Sequence, residues 1–247
     1  MSAITLRHHR WPLAMLAIVV AIVVAALWPV STRQGVDFVV NTRPLPLYVK
    51  VLEFVDRDAS YRALVAQVTA DATGEESRAR ALLAWTRDNI RPMPPGFPVI
   101  DDHVWHIIVR GYGTDEQRDD VFTTLTTYAG IPGYWFVLRQ GGRRLTASAV
   151  KIRGAWRLFD VSRGLAFRDA DNDLATLDAI AQRPALVATA AAGLMHNDRP
   201  YASYFRDFRP PAPPSPLRGE LQMPGPRLVF EARRAVGIGR RPQSEQP

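Results

Sequence analysis

A nucleophile, a base and a group that orients the base make up the usual acyl-transfer set. The chain offers a hydroxyl, Thr114, at the head of a helical run, and a carboxylate, Asp160, at the end of a strand-like run. His103, His106 and His196 are the histidines within reach of such a role. There is no cysteine, so disulfides, thiolate metal sites and cysteine nucleophiles are excluded. A threonine hydroxyl is far less acidic than a thiol, and a helix dipole of about 0.3–1 kcal/mol does not close that gap. Thr114 would need an adjacent strong base. Thr114-Asp115-Glu116-Gln117 also fits a capping box, which would engage the same hydroxyl with the backbone.

Asp101, Asp102, His103 and His106 lie close enough to suggest a metal, because the two histidines share one face of a helix. Three convergent ligands do not follow from one short segment, and a capped helix start explains it as well. No metal and no cofactor is expected. His103, His106 and His196 remain candidates for binding or for a substitute base. His196-Asn197-Asp198, beside Tyr201, Tyr204 and Phe205, reads as loop chemistry over a core edge or as a saccharide-binding surface.

The elements that must position these groups follow from periodicity. Helical patterning begins near Ser60 and recurs from Thr73, where Thr73 and Glu76 fit a capping box ahead of Ala79, Leu82, Leu83 and Ile90. Pro92, Pro94 and Pro95 stop that helix. A second helix is predicted over about 115–129, closed by Gly130 and Pro132. Strands are predicted over 134–139, 145–153 and 155–161, with turns at Gly141-Gly142 and Gly154. Two short helical stretches are expected near 174–180 and 184–194.

The segment GYGTDEQRDDVFTTLTTYAGIP, residues 111–132, resembles the core motif of transglutaminase-like domains in the papain superfamily. ARALLAWTRDNI before it and the hairpin carrying Gly154, Trp156 and Phe159-Asp160 after it are similar to the family's flanking helix and strand pair. The resemblance covers about residues 60–185 and implies an α+β fold, a helical part packed on an antiparallel sheet. It also implies a cysteine, a histidine and an aspartate in one site. Thr114 stands at the cysteine position, Leu145-Thr146-Ala147 where the histidine should fall, and Asp160 at the aspartate. Thr114 and Asp160 therefore mark a degenerate site.

Forty-seven per cent hydrophobic content over 247 residues can bury one substantial core. The net charge of +7 comes almost wholly from scattered arginines, which argues against a nucleic-acid footprint. Residues 12–30 form an uncharged run flanked by Trp11 and Trp28. It is predicted to be a transmembrane anchor, with residues 1–11 cytoplasmic, and a cleavable signal peptide with Val24-Ala25-Ala26 at its site is the alternative. The prolines in 31–57 predict an extended lead-in to a domain over 58–208. A proline-rich linker and basic tail follow over 209–247, either docking on an anionic membrane or a partner, or solvated. The expected function is a membrane-anchored, non-catalytic transglutaminase-like domain outside a bacterial inner membrane, held by residues 12–30. It would act as a binding or assembly factor for an envelope protein, saccharide or peptide, in exopolysaccharide or cell-wall biogenesis. The alternative is a divergent peptidase or acyl-transfer enzyme using Thr114.

Overall fold

The computed structural model describes residues 10–36, 39–99 and 101–237. Most of the expected cytoplasmic end and the last ten residues of the tail lie outside the described residues. The chain divides into two units, residues 1–56 and 57–247.

The first unit begins with α1 (Arg10–Leu27). An antiparallel pair follows, β1 (Pro29–Val36) and β2 (Val39–Pro46), in a register running from Pro29 opposite Pro46 to Val36 opposite Val39. Helix α2 (Leu47–Val68) starts directly after Pro46, and Lys50 Nζ donates to the Ser31 carbonyl at 2.7 Å. Two expectations fail here. Residues 29 and 30 belong to β1, so the helix stops at Leu27 and its 18 residues reach about 27 Å, short of a hydrocarbon core of about 30 Å. No helix among the described residues is long and apolar enough to cross a membrane, which overturns the single-pass inner-membrane assignment and its anchor over 12–30. The lead-in over 31–57 is extended only to Pro46. Pro44 and Pro46 end a strand and precede a helix start, a place where their missing N–H groups cost nothing.

The second unit is α+β, with helices on both faces of an antiparallel sheet. Helix α3 (Gly74–Asn89) leads to the two-residue strand β3 (Arg91–Pro92), which pairs in parallel with β4 (Tyr112–Gly113) across α4 (Val104–Arg110). Helix α5 (Asp115–Tyr128) follows, and then the sheet β5 (Gly133–Gln140), β6 (Arg143–Ile152), β7 (Ala155–Asp160) and β8 (Leu165–Ala166) in sequential order. Beyond it come α6 (Leu177–Gln182), α7 (Ala185–Ala190) and the pair β9 (Met195–His196) and β10 (Arg199–Pro200). A 3₁₀ turn over Tyr201–Phe205 and α8 (Pro224–Ala235) complete the described chain.

Side-chain alternation along β6 sorts two cores. Val150 and Ile152 join Tyr61, Leu82, Phe122, Leu125 and Phe159 beneath α2, α3 and α5. Leu145, Ala147 and Ala149 join Phe136, Leu158, Phe167, Tyr201 and Phe205 on the other face. Helix α5 approaches the sheet so closely that a Cβ on Gly133 would stand 2.5 Å from Thr126 Oγ1, which only glycine avoids.

The predicted capping box at Thr73 does not form, since the Thr73 side chain makes no cap hydrogen bond. Glu76 is engaged elsewhere, by Arg80 at 3.1 Å, Arg153 at 3.2 Å and Arg168 at 3.5 Å. The Arg153 bond ties the β6–β7 turn to α3. The segment after residue 209 folds back on the body. Tyr134 Oη donates to the Pro211 carbonyl and Tyr128 Oη to the Gln222 carbonyl, both at 2.8 Å, and Leu217 enters the second core.

Candidate functional site

The first turn of α5 collects most of the chemistry. Thr114 is its N-cap, and the capping box is complete: the Thr114 hydroxyl accepts from Gln117 N at 3.3 Å, and Gln117 Oε1 accepts from Thr114 N at 3.1 Å. Gln117 Oε1 also accepts from Arg110 Nη2 at 2.7 Å, while Gln117 Nε2 donates to the Asp101 carbonyl and to Asp102 Oδ1. The Thr114 hydroxyl thus serves the backbone, in a setting closed by amide and guanidinium groups.

His103 and His106 belong to this same network. His103 caps α4, its Nδ1 accepting from Trp105 N at 3.3 Å, which requires an unprotonated nitrogen. Burial first, then the charge of Arg57, pushes its pKa down to about 4, so the ring is neutral at physiological pH. His106 Nδ1 is hydrogen-bonded to Asp101 Oδ2. Burial pushes the Asp101 carboxyl up, but hydrogen bonds from His106 and from the His103 backbone N–H outweigh it and hold the group below its ordinary value. As an ionised carboxylate, Asp101 accepts the hydrogen bond from His106 Nδ1 and fixes that nitrogen as the donor. Among the described residues, no group of three His, Asp or Glu side chains could hold a metal ion.

Asp160 and His196 belong to a second network. Asp160 is 1% exposed; Oδ1 accepts from Arg163 N at 2.9 Å and Oδ2 from Arg163 Nη1 at 2.8 Å. The other guanidinium nitrogen, Nη2, donates to His196 Nδ1 at 2.7 Å. A guanidinium only donates, so His196 Nδ1 is the acceptor and the ring carries its proton on Nε2. Nε2 gives that proton to the Arg144 carbonyl at 2.8 Å. Arg163 therefore stands between Asp160 and His196, where an aspartate–histidine pair would be in direct contact. Its guanidinium also lies 4.9 Å from the centre of the Tyr201 ring. The buried Tyr201 hydroxyl sits beside Asp160 without a hydrogen bond of normal geometry, and burial first, then the charge of Asp160, raises its pKa well above the usual phenol range.

The N-terminal half of α5 joins the two networks. Asp115 accepts from Ser162 Oγ at 2.6 Å, and Glu116 is ion-paired to Arg144, whose carbonyl holds His196. Asp119 is fully enclosed and accepts from Ser148 Oγ at 2.6 Å. Burial raises its pKa to about 8 against the pull of the Ser148 and Thr146 hydroxyls, so it is protonated at neutral pH. Asp120 is buried on the side of the C-terminal segment, with Arg218 Nη2 at 2.7 Å from Oδ2. Burial pushes it up to about 7, with the Arg218 charge and the Trp135 indole opposing. Arg118, 3% exposed, donates to the Ile90 carbonyl at 2.9 Å and ties α5 to the end of α3.

No family model matches the chain, and no curated protein does. Among solved structures the chain is similar to a protein from Cytophaga hutchinsonii described provisionally as a cysteine protease. The identity is 15% and the TM-score 0.38, over 44% of this chain and 39% of that one. It is similar also to a protein from Parabacteroides distasonis described provisionally as a protease, at 10% identity and a TM-score of 0.35, over 53% of this chain and 35% of that one.

Of the residues singled out from the sequence, Thr114, His103 and His106 come together through Gln117, Asp101 and Asp102, and Asp160 and His196 come together through Arg163. Nothing among the described hydrogen bonds joins Thr114 to Asp160 or to His196. The histidine position is also accounted for. Leu145 and Ala147 face the second core, and between them Thr146 lies near Asp119. Sequence reasoning missed Asp119, Asp120, Ser148, Arg163 and Arg218. The one available signal was the Asp119-Asp120 pair inside an otherwise buried helix.

Proposed function

We propose that the second unit is a non-catalytic domain of transglutaminase-like, papain-type descent, serving as a binding or assembly factor. The observation that carries the reading is the guanidinium of Arg163 between Asp160 and His196. A cation in that place holds the aspartate by charge and occupies the Nδ1 lone pair, so the histidine cannot be oriented by the carboxylate as a base. The capping of α5 by the Thr114 hydroxyl agrees with it. The proposed setting is the bacterial cell envelope, in exopolysaccharide or cell-wall biogenesis, with a peptide or saccharide as ligand. That setting rests on the transglutaminase-like resemblance of residues 60–185 and on no residue of the site. Titrating the full chain with muropeptides and with acidic oligosaccharides, followed by calorimetry, tests it. Saturable binding that survives Thr114→Ala supports the proposal, and absence of binding to both ligand classes overturns the envelope setting.

A second reading rests on the Asp101–His106 pair, in which the carboxylate is hydrogen-bonded to Nδ1 of the ring. An enzyme built on it would use His106 as the base for Thr114. In that case His106→Asn abolishes hydrolysis of a peptide substrate while leaving ligand affinity intact. An unchanged, background rate in both proteins eliminates it.

A further inference from the structure

Helix α8 is 12 residues, about 18 Å long, and its apolar side has no partner within the described residues. Leu228 is 72%, Val236 70% and Val229 49% exposed. At about 100° per residue these three share an arc of roughly 120° with Ala232 and Ala235. Arg233 borders one edge of the arc, and Arg227 and Arg234 stand beyond the other. Glu231 pairs with Arg227 at 2.7 Å and with Arg234 at 3.7 Å, so one carboxylate answers two guanidiniums and the helix keeps an excess of positive charge. The sequence then adds Arg240 and Arg241.

We propose that α8 is a docking surface for a bilayer rich in anionic phospholipid, lying in the headgroup region with Leu228, Val229 and Val236 inserted. The charge of the helix and the net charge of +7 suit such a surface. The positive charge flanking the apolar arc favours an anionic bilayer over an apolar protein groove. The arc is a shallow ridge of aliphatic and alanine side chains, while Phe230, the one aromatic residue of the helix, is half-buried on the other side. Arginines on both sides of the arc match a surface of anionic headgroups, each adding about 1 kcal/mol of attraction. The helix would lie on the membrane and not cross it.

The absence of cysteine allows a single probe to be placed at will. The full chain carrying Ala232→Cys, labelled with a polarity-sensitive dye, reports on the apolar arc of α8. Ala188→Cys, on an exposed position of α7, is the control. On vesicles of equal phosphatidylglycerol and phosphatidylcholine the dye at position 232 is expected to shift to the blue, with no shift at position 188. Two net charges at about 1 kcal/mol each give a preference of roughly thirtyfold over pure phosphatidylcholine. Leu228→Glu should abolish the shift, and joint replacement of Arg227, Arg233 and Arg234 by glutamine should remove the lipid preference, with circular dichroism unchanged in both. Equal partition onto both vesicle types, or no shift on either, overturns the proposal. So would a shift that needs no vesicles and grows with protein concentration, which would make the occupant a second copy of the chain.

Discussion

The Thr114 network and the Asp160 network hold their polar groups by different physical means. Around Thr114 the groups are neutral or half-exposed, and the hydroxyl has been turned to the backbone as a helix cap. Around Asp160 the buried carboxylate is paired, among the described residues, with the Arg163 guanidinium, which also takes the histidine nitrogen. A hydroxyl on a cap is released by a small rearrangement. A buried carboxylate cannot give up its paired cation without a large cost.

The comparison predicts a graded series. Arg163→Ala leaves Asp160 buried and unpaired and should cost about 3–5 kcal/mol in urea unfolding. Asp160→Asn added to it should recover a large part, and a double variant no better than the single one would break the contrast. Asp119 sharpens it through pH. Its folded pKa of about 8 exceeds the unfolded value of about 3.9, so the folded state binds the extra proton between them and stability falls as pH rises through that window. Asp120, raised to about 7, acts with the same sign. His103, lowered to about 4, acts oppositely between pH 4 and 6.5, because there the unfolded state holds the proton. The decline should therefore be steeper in the neutral range than at mildly acid pH, where His103 opposes it. Asp119→Asn should lessen the slope by up to about 1.4 kcal/mol per pH unit, seen as a smaller difference between unfolding curves at pH 6.5 and 7.5.

Ser148→Ala removes the Ser148 hydrogen bond to Asp119 and is expected to cost about 1–3 kcal/mol. The smallest effect belongs to Thr114→Ala, at about 1 kcal/mol for a lost cap, with Thr114→Ser close to neutral. A loss from Thr114→Ala as large as that from Arg163→Ala would show that the threonine does more than cap.

Much of this was legible in the sequence where local rules operate. The capping box at Thr114, the stop at Gly130 and the three main strands all rest on neighbours within a few residues, and they stand. The box at Thr73 is absent, and Glu76 pairs instead with Arg153 and Arg168, which the fold brings from far along the chain. The start of α2 at Leu47 was hidden by prolines that read as breakers but sit just ahead of the helix. Asp119 and Asp120 would ordinarily mark a solvated face, and only packing against Ser148 and Arg218 buries them. Arg163 was invisible as a site residue, since its role depends on β7 and β9 meeting in space. The anchor expected over 12–30 gave way because hydropathy alone does not record that β1 begins at Pro29.

The proposed function requires that Thr114 carry no reaction. Release of a fluorescent group from a panel of peptide and acyl substrates, compared between the native chain and Thr114→Ala, measures it directly. Both should run at the buffer rate at every pH from 5 to 9. Turnover by the native chain that disappears in a folded Thr114→Ala variant would contradict the account.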